Sequence, residues 1–192
     1  MNTLTTITIG LISTSDRASR GIYPDEGIPA LKNWLNQAIC NPIRYIEALI
    51  PDDYDKIKSV LIHMADEEHC DIILTTGGTG PAPRDITPEA TLAVLDKELP
   101  GFGEQMRRIS LHYVPTSILS RQTAGIRGSS LIVNLPGRPK AIAETLGGLR
   151  AEDGSIIMLG LFGAIPYCVD LIGGSFIETD TTICPTFRPK QK

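Results

Sequence analysis

Hydrophobic positions along the chain switch repeatedly between two spacings. They crowd into a run of strand length at Ile7-Thr8-Ile9-Gly10-Leu11-Ile12-Ser13. Leu31, Trp34, Leu35 and Ala38 then recur at helical spacing, which predicts a helix over 28–39. Tyr45 to Ile50 reads as a second strand. Ile57, Val60, Leu61 and Met64 form one face of a helix over 54–68, and Asp71 to Thr75 reads as a third strand. Thr87-Pro88-Glu89 predicts a helix start, with Thr87 as N-cap and Pro88 at the first helical position; this helix runs to Glu98 and Pro100 stops it. A helical piece over 103–111, a strand over 130–135 and a helix beginning near Pro139 follow. The uncharged stretch from Ile156 to Val169 contains Pro166, is too short to span a bilayer, and reads as a buried helix.

Strands separated by helices imply parallel pairing through right-handed crossovers. The expected fold class is therefore α/β, a three-layer α/β/α sandwich with a mostly parallel sheet. Residues 1–192 read as a single domain, in which 173–192 form an extended C-terminal tail, since the alternation fades there and Pro185 and Pro189 intervene. At 192 residues and 42% hydrophobic, the chain can bury a sizeable core. The net charge of -4 argues against a nucleic-acid partner, and no membrane association is expected. The N-terminus lacks a secretory pattern and the four cysteines form no CxxC pair, so a reduced, cytoplasmic protein is expected. His63, His69, Cys70 and His112 lack zinc-ligand spacing and read as packing or surface residues.

In a parallel sheet the loops that leave the strands gather at one edge, where ligands of open α/β sheets bind. Four such loops are expected here: Ser13 to Arg17, Pro51 to Asp53, Gly77-Gly78-Thr79-Gly80 through Arg84-Asp85, and Asn134 to Pro139. Three bring a carboxylate and three bring an arginine. The glycines accept φ > 0 and can turn backbone N–H groups toward a phosphate. Carboxylates beside such a cradle would repel the phosphate unless a divalent cation sat between them. Mg²⁺ held by one or two carboxylates plus substrate phosphates fits that arrangement, and the chemistry suggested is phosphoryl or nucleotidyl transfer. The loop has neither the G-K-[ST] ending of a Walker A motif nor the G-x-G-x-x-G spacing of a dinucleotide fingerprint. The residues alone therefore describe a nucleotide pocket of unstated kind.

Each candidate also has a plain structural reading. Asp53 reads as the N-cap of the next helix, which leaves Asp52, nearer the strand end, for a ligand. Asp16 reads equally as a turn cap or a ligand, and Arg17 and Arg20 as solvated charges. Thr87 already fills a cap position, which frees Asp85.

The ordered set TTGGTG, PRDITPEA, Ser15-Asp16-Arg17, Ile50-Pro51-Asp52, PGFGE, Leu119-Ser120-Arg121, Ala124-Gly125-Ile126-Arg127 and Asn134-Leu135-Pro136-Gly137 resembles the molybdenum-cofactor biosynthesis family of MogA, MoaB and the gephyrin G domain. The resemblance covers 6–172, and MNTL, GIPALKNWL, PGFGEQMR and the segment from IPYCVDL to FRPK resemble its bacterial MogA branch. It implies transfer of AMP from Mg-ATP to molybdopterin with release of pyrophosphate, Mg²⁺ as cofactor, a homotrimer, and hand-over to a molybdate-inserting MoeA-type enzyme. Asp52 and Asp85 are the implied catalytic and metal-holding acids. Gly77, Gly78, Thr79, Gly80, Pro136 and Gly137 are implied for the nucleotide, and Ser15, Asp16, Arg17, Ser110, Ser120 and Arg121 for molybdopterin. Ala82-Pro83 departs from the pattern and leaves nucleotide preference open.

Residues and resemblance agree on the chemistry. A terminal phosphate monoester is largely dianionic at pH 7 and needs no general base, in keeping with three histidines that all lie outside the edge loops. Two rivals share many of these motifs: a MoaB-like protein that binds pterin or nucleotide with little transfer, and an assembly scaffold.

Overall fold

The structure is a computed structural model that describes residues 4–189. Its central sheet runs β2 (Ile43–Ile50), β1 (Ile7–Thr14), β3 (Ile72–Thr76), β6 (Ser130–Leu135), β5 (Ala124–Arg127) and β4 (Lys97–Glu98) in spatial order. The first four strands are parallel, and β5 and β4 add an antiparallel margin. The register pairs Thr14 with Ile50, Ser13 with Thr76, and Thr76 with Leu135. All four parallel strands therefore end at one edge.

Successive residues of a strand point to opposite faces, and β1 divides the core accordingly. Ile7, Ile9 and Leu11 face a cluster that includes Leu31 and Leu35 of α1 (Gly27–Ala38), Met106 of α4 (Pro100–Tyr113), Ile142 and Leu146 of α5 (Pro139–Gly147), and Val169 of α6 (Ile165–Leu171). Ile12 faces the other way, toward Ile57 and Leu61 of α2 (Tyr54–Ile62) and Ala90 of α3 (Thr87–Leu92). Gly10 shares this second face, where a Cβ would lie 2.7 Å from the Met64 sulfur. The result is the three-layer α/β/α sandwich expected from the alternation.

Four expectations are corrected. The helix over 87–98 ends at Leu92, because Lys97-Glu98 pairs as β4 with Ile126 and Gly125. Pro100 does not stop that helix but opens α4 from its first turn, where a missing N–H costs nothing. Thr87 is not a cap: Ile86 holds the N-cap position, and Thr87 is buried with its hydroxyl 3.2 Å from that of Thr14. The stretch Ile156–Val169 is not one helix but a strand, β8 (Ile156–Leu159), a 3-10 turn at Leu161–Gly163, and α6. Gly160 breaks it: a Cβ there would stand 2.1 Å from the Leu146 carbonyl, where β8 pairs with β7 (Gly148–Arg150).

The helix read over 54–68 continues past α2 as a π turn at His63–Glu67. The C-terminal segment packs into the domain, burying Ile177 and Cys184 in the core. Thr179 bridges Ile39, Glu178 N–H donates to Asn41 Oδ1 at 2.7 Å, and the Arg188 guanidinium reaches Asp170 at 2.5 Å. Residues 1–3 and 190–192, which include most of MNTL and the last residue of FRPK, lie outside the described residues. Among the described residues no helix is long and apolar enough to cross a membrane.

Candidate active site

The four edge loops converge as the strand order requires, and the bonds between them run from loop to loop. Asp16, after β1, and Asp52, after β2, exchange hydrogen bonds reciprocally. Asp16 N–H donates to Asp52 Oδ2 at 3.1 Å, and Asp52 N–H donates to Asp16 Oδ1 at 3.2 Å. Arg84, from the loop after β3, grips the same Asp16 carboxylate with two prongs, Nε to Oδ2 at 2.9 Å and Nη2 to Oδ1 at 2.8 Å. That guanidinium holds the Asp16 carboxyl below the usual aspartate range. Asp52 is pushed the other way, chiefly by burial and also by the charges of Asp16 and Asp85, against the downward pull of the Asp16 N–H and Arg84. Asp53 is the N-cap of α2, accepting the Lys56 N–H at 2.8 Å, as its position implied.

The glycine loop is shaped by steric demands. Gly77 and Gly78 have φ of 96° and 63°, the left-handed region that favours glycine. A Cβ on Gly77 would press to 2.3 Å from the Thr14 carbonyl, and one on Gly78 to 2.4 Å from the Thr87 hydroxyl and 3.1 Å from Asp52 Oδ1. A Cβ on Gly80 would lie 2.8 Å from Asp85 Oδ2. The missing side chains are thus what lets Asp52 and Asp85 close on the loop. Asp85 Oδ2 also accepts the Ala82 N–H at 2.9 Å, which closes the Pro81–Asp85 turn. Arg121 braces the loop from the far side: its N–H donates to Thr79 O at 2.9 Å and its Nε to Gly80 O at 2.8 Å, while its remaining nitrogens meet Asp85 O and Glu89.

Two cavities flank this loop and share the wall formed by Gly137 and Arg138. The first, about 520 Å³, is lined by Ser13, Ser15, Tyr23, Asp25 and Gly77 among others. Arg17 lies over the Tyr23 ring at 5.6 Å, and the Tyr23 hydroxyl meets Ser15 Oγ at 2.8 Å. Asp25 caps α1 by accepting the Ile28 N–H at 3.0 Å, and it accepts the Ser13 hydroxyl at 2.6 Å. The second cavity, about 370 Å³, is lined by Thr79, Gly80, Ser110, Ser120, Gln122 and Pro136 among others. Ser120 Oγ donates to Gln122 Oε1 at 2.6 Å, and Gln122 Nε2 is buried without a partner in the described residues. A third cavity, about 560 Å³, is apolar, lies between α4 and α6, and offers no charged side chain to an anionic substrate.

The structure therefore brings the candidate residues to one edge, with differing engagements. Ser110 and Ser120 face one cavity, Ser15 the other, and Pro136 and Gly137 stand near the partition. The guanidinium of Arg121 and the carboxylate of Asp16 are occupied by protein partners. Asp25, Tyr23 and Gln122 escaped the sequence reading, because nothing local marks Asp25 or Gln122 as cavity-lining, and Tyr23 sits in a turn. His63, His69, Cys70 and His112 take no part, and among the described residues no group of three or more His, Cys, Asp or Glu could hold a metal alone.

Residues 10–150 match the MoCF_biosynth family, described as a probable molybdopterin binding domain. The chain is 57% identical over 182 residues to a molybdopterin adenylyltransferase of Haemophilus influenzae, covering 95% of this chain and 92% of that one. It is 54% identical over 187 residues to that of Escherichia coli K12, covering 97% and 96%. Among solved structures, MoaB from Thermus thermophilus superposes with a TM-score of 0.74 at 38% identity, covering 88% of this chain and 99% of that one. The Mog protein of Mycobacterium ulcerans gives 0.73 at 36% identity, covering 87% and 99%. With most of its length matched and relatives aligned nearly end to end, the chain belongs to the molybdopterin-binding-domain family of molybdenum cofactor biosynthesis.

Proposed function

We propose that this protein is a molybdopterin adenylyltransferase, which transfers AMP from Mg-ATP to the terminal phosphate of molybdopterin. The observation that carries the reading is a two-chambered site: two cavities share the Gly137–Arg138 wall, with the glycine loop, Asp85 and the neighbouring Asp52 alongside. A site that must bring two substrates together needs two chambers and a common reacting point. The name borne by relatives at 57% and 54% identity supports the same reading.

A phosphate oxygen of molybdopterin attacks the α-phosphorus of ATP. The new O–P bond forms as the bond to the bridging oxygen breaks, and pyrophosphate leaves with the electron pair. The dianionic nucleophile needs no base, so the protein's task is alignment and charge neutralisation. Gly77, Gly78, Thr79 and Gly80 offer backbone N–H groups to the nucleotide phosphates, with Pro136 and Gly137 beside them. Ser110 and Ser120 face molybdopterin in the second chamber, while Ser15, given the same role by the resemblance, lines the first. Arg121 contributes by bracing the loop.

Asp52 and Asp85 would hold Mg²⁺. Their donors fit that hard cation, since Asp52 has one oxygen engaged by the Asp16 N–H and the other turned toward Gly78. With two such carboxylates, substrate phosphates and water would have to supply the remaining donors, as Mg²⁺ prefers. Bound there, the ion supplies charge neutralisation at the reacting phosphates.

The reading includes a homotrimer, supported by exposed apolar side chains such as Ile118, Leu171 and Phe187. It includes delivery of adenylylated molybdopterin to a MoeA-type molybdate-inserting enzyme, and a cytoplasmic setting consistent with four free cysteines. The test is pyrophosphate release from ATP with Mg²⁺, with and without molybdopterin, against GTP as control. Release that depends on molybdopterin and prefers ATP is expected. Tight binding without release would instead favour the MoaB-like reading, for which the Thermus thermophilus MoaB superposition is the supporting observation.

A further inference from the structure

We infer that Arg84 is a positioning residue of the active site: through the bridging carboxylate of Asp16 it fixes Asp52 against the glycine loop. The inference assigns chemistry to Arg84 on the strength of the function proposed above, but its geometry stands apart from that function.

Arg84 sits on the exposed tip of the loop after β3, between Pro83 and Asp85. The turn is set locally. Asp85 N–H donates to Ala82 O at 2.9 Å, Ala82 N–H returns to Asp85 Oδ2 at 2.9 Å, and Pro81 and Pro83 restrict the backbone. This turn aims the guanidinium back across the edge to Asp16, 68 positions away in sequence. An ion pair so exposed contributes little to stability, yet its geometry is two-pronged, and the pair sits within a chain of bonds. Asp16 Oδ1 accepts from both Arg84 Nη2 and Asp52 N–H, while Asp52 Oδ2 accepts from Asp16 N–H. One cation thus joins three loops. Asp52 is left with a single uncommitted oxygen, the one facing Gly78. Without Arg84, Asp16 and Asp52 are neighbouring like charges whose repulsion pushes the loops apart. A lysine cannot replace the planar fork.

The test is a double-mutant cycle of Arg84→Gln, Asp16→Asn and the double variant, with Arg84→Lys as the conservative control. Initial rates give kcat and both KM values, melting temperature checks folding, and crystal structures are determined for wild type and Arg84→Gln. Each single variant is expected to lose kcat by roughly 100-fold, the scale of a small misplacement at a reacting centre, with both KM values little changed. The double variant is expected to be no worse than either single, and Arg84→Lys to recover only part of the loss. Losses that multiply in the double variant, or a loss confined to KM, would mean that Arg84 touches substrate directly and would overturn the inference. Absence of transferase activity in wild type would sink the proposed function alone. The crystal structures then still decide: loss of the reciprocal Asp16–Asp52 hydrogen bonds in Arg84→Gln supports the positioning role, and their persistence refutes it.

Discussion

The carboxyl edge of the parallel sheet and the layer built from α5, α6 and the C-terminal segment are held together by different forces. At the edge, Asp16, Asp52, Arg84 and Arg121 join loops through side chain–backbone bonds and ion pairs. In the other region Phe162, Ile165, Val169 and Ile177 are fully buried, and Trp34 meets Phe162 edge to face at 5.0 Å. Under the proposed function the edge must stay open to substrates, so it cannot be closed over by burial. It relies on many small, directional bonds that fix geometry more than they add stability. The two regions should therefore fail differently, the edge in rate and the buried layer in stability.

The largest expected effect tests the edge. Asp85→Asn removes a carboxylate charge beside Gly80 while an amide oxygen can still accept the Ala82 N–H. Loss of a preorganised electrostatic group costs roughly 10²–10³ in kcat, with the melting temperature close to wild type. Pyrophosphate release and thermal unfolding read both quantities. A variant as active as wild type would remove Asp85 from the chemistry, and one that melts much earlier would break the contrast between the regions.

Phe162→Ala is the mirror experiment. The side chain is 0% exposed and packs against Trp34, so truncation should cost about 3–5 kcal/mol of stability. Well below its melting temperature the variant should turn over normally, since Phe162 lies in the layer beneath and not in either cavity beside the glycine loop. A drop in kcat comparable to that of Asp85→Asn would show that the buried layer also sets the edge geometry.

A smaller loss is expected at the C-terminal segment. Arg188 pairs with Asp170, donates to Ile177 O at 2.8 Å and lies over the Phe176 ring at 4.2 Å. Arg188→Gln should cost about 1–2 kcal/mol, the sum of a half-buried ion pair and a cation–π contact, without altering turnover. Denaturant unfolding would show an unchanged midpoint if the segment contributes nothing.

This division also explains what could be read in advance. β1, β3 and β6 are buried on both faces, so each is a near-continuous apolar run that identifies itself. β5 was invisible as a strand because Ala124-Gly125-Ile126-Arg127 is short and holds a glycine. That glycine is there because a Cβ would stand 2.4 Å from the Lys97 carbonyl, a contact that exists only after β4 has folded back. Ile156–Val169 misled for a related reason: its apolar run has no period that separates strand from helix, and the pairing of Gly148 with Leu159 decides between them. At the site, Asp53 was legible because N-capping is a local property. The Arg84–Asp16 clasp and the service of Asp25 to both Ser13 and α1 were not, since their partners meet only when the loops converge.

The smallest expected effect runs against the usual direction of mutation. Burial and two neighbouring carboxylates raise the Asp52 pKa above its ordinary 3.8. An acid whose folded-state pKa is raised destabilises the fold when ionised. The penalty is absent below the unfolded pKa, grows as pH rises through it, and is complete once pH exceeds the folded value. Asp52→Asn removes the charge and keeps an oxygen to accept the Asp16 N–H, so at neutral pH it should melt about 1–3 °C above wild type while losing turnover. The gain should shrink as pH falls toward the carboxylate range, where wild type is itself protonated. Thermal unfolding with EDTA present isolates the protein term from any bound cation. A lower melting temperature at pH 7, or a gain that ignores pH, would mean that the Asp52 charge is stabilised by the edge and not tolerated at a cost for the sake of the reaction.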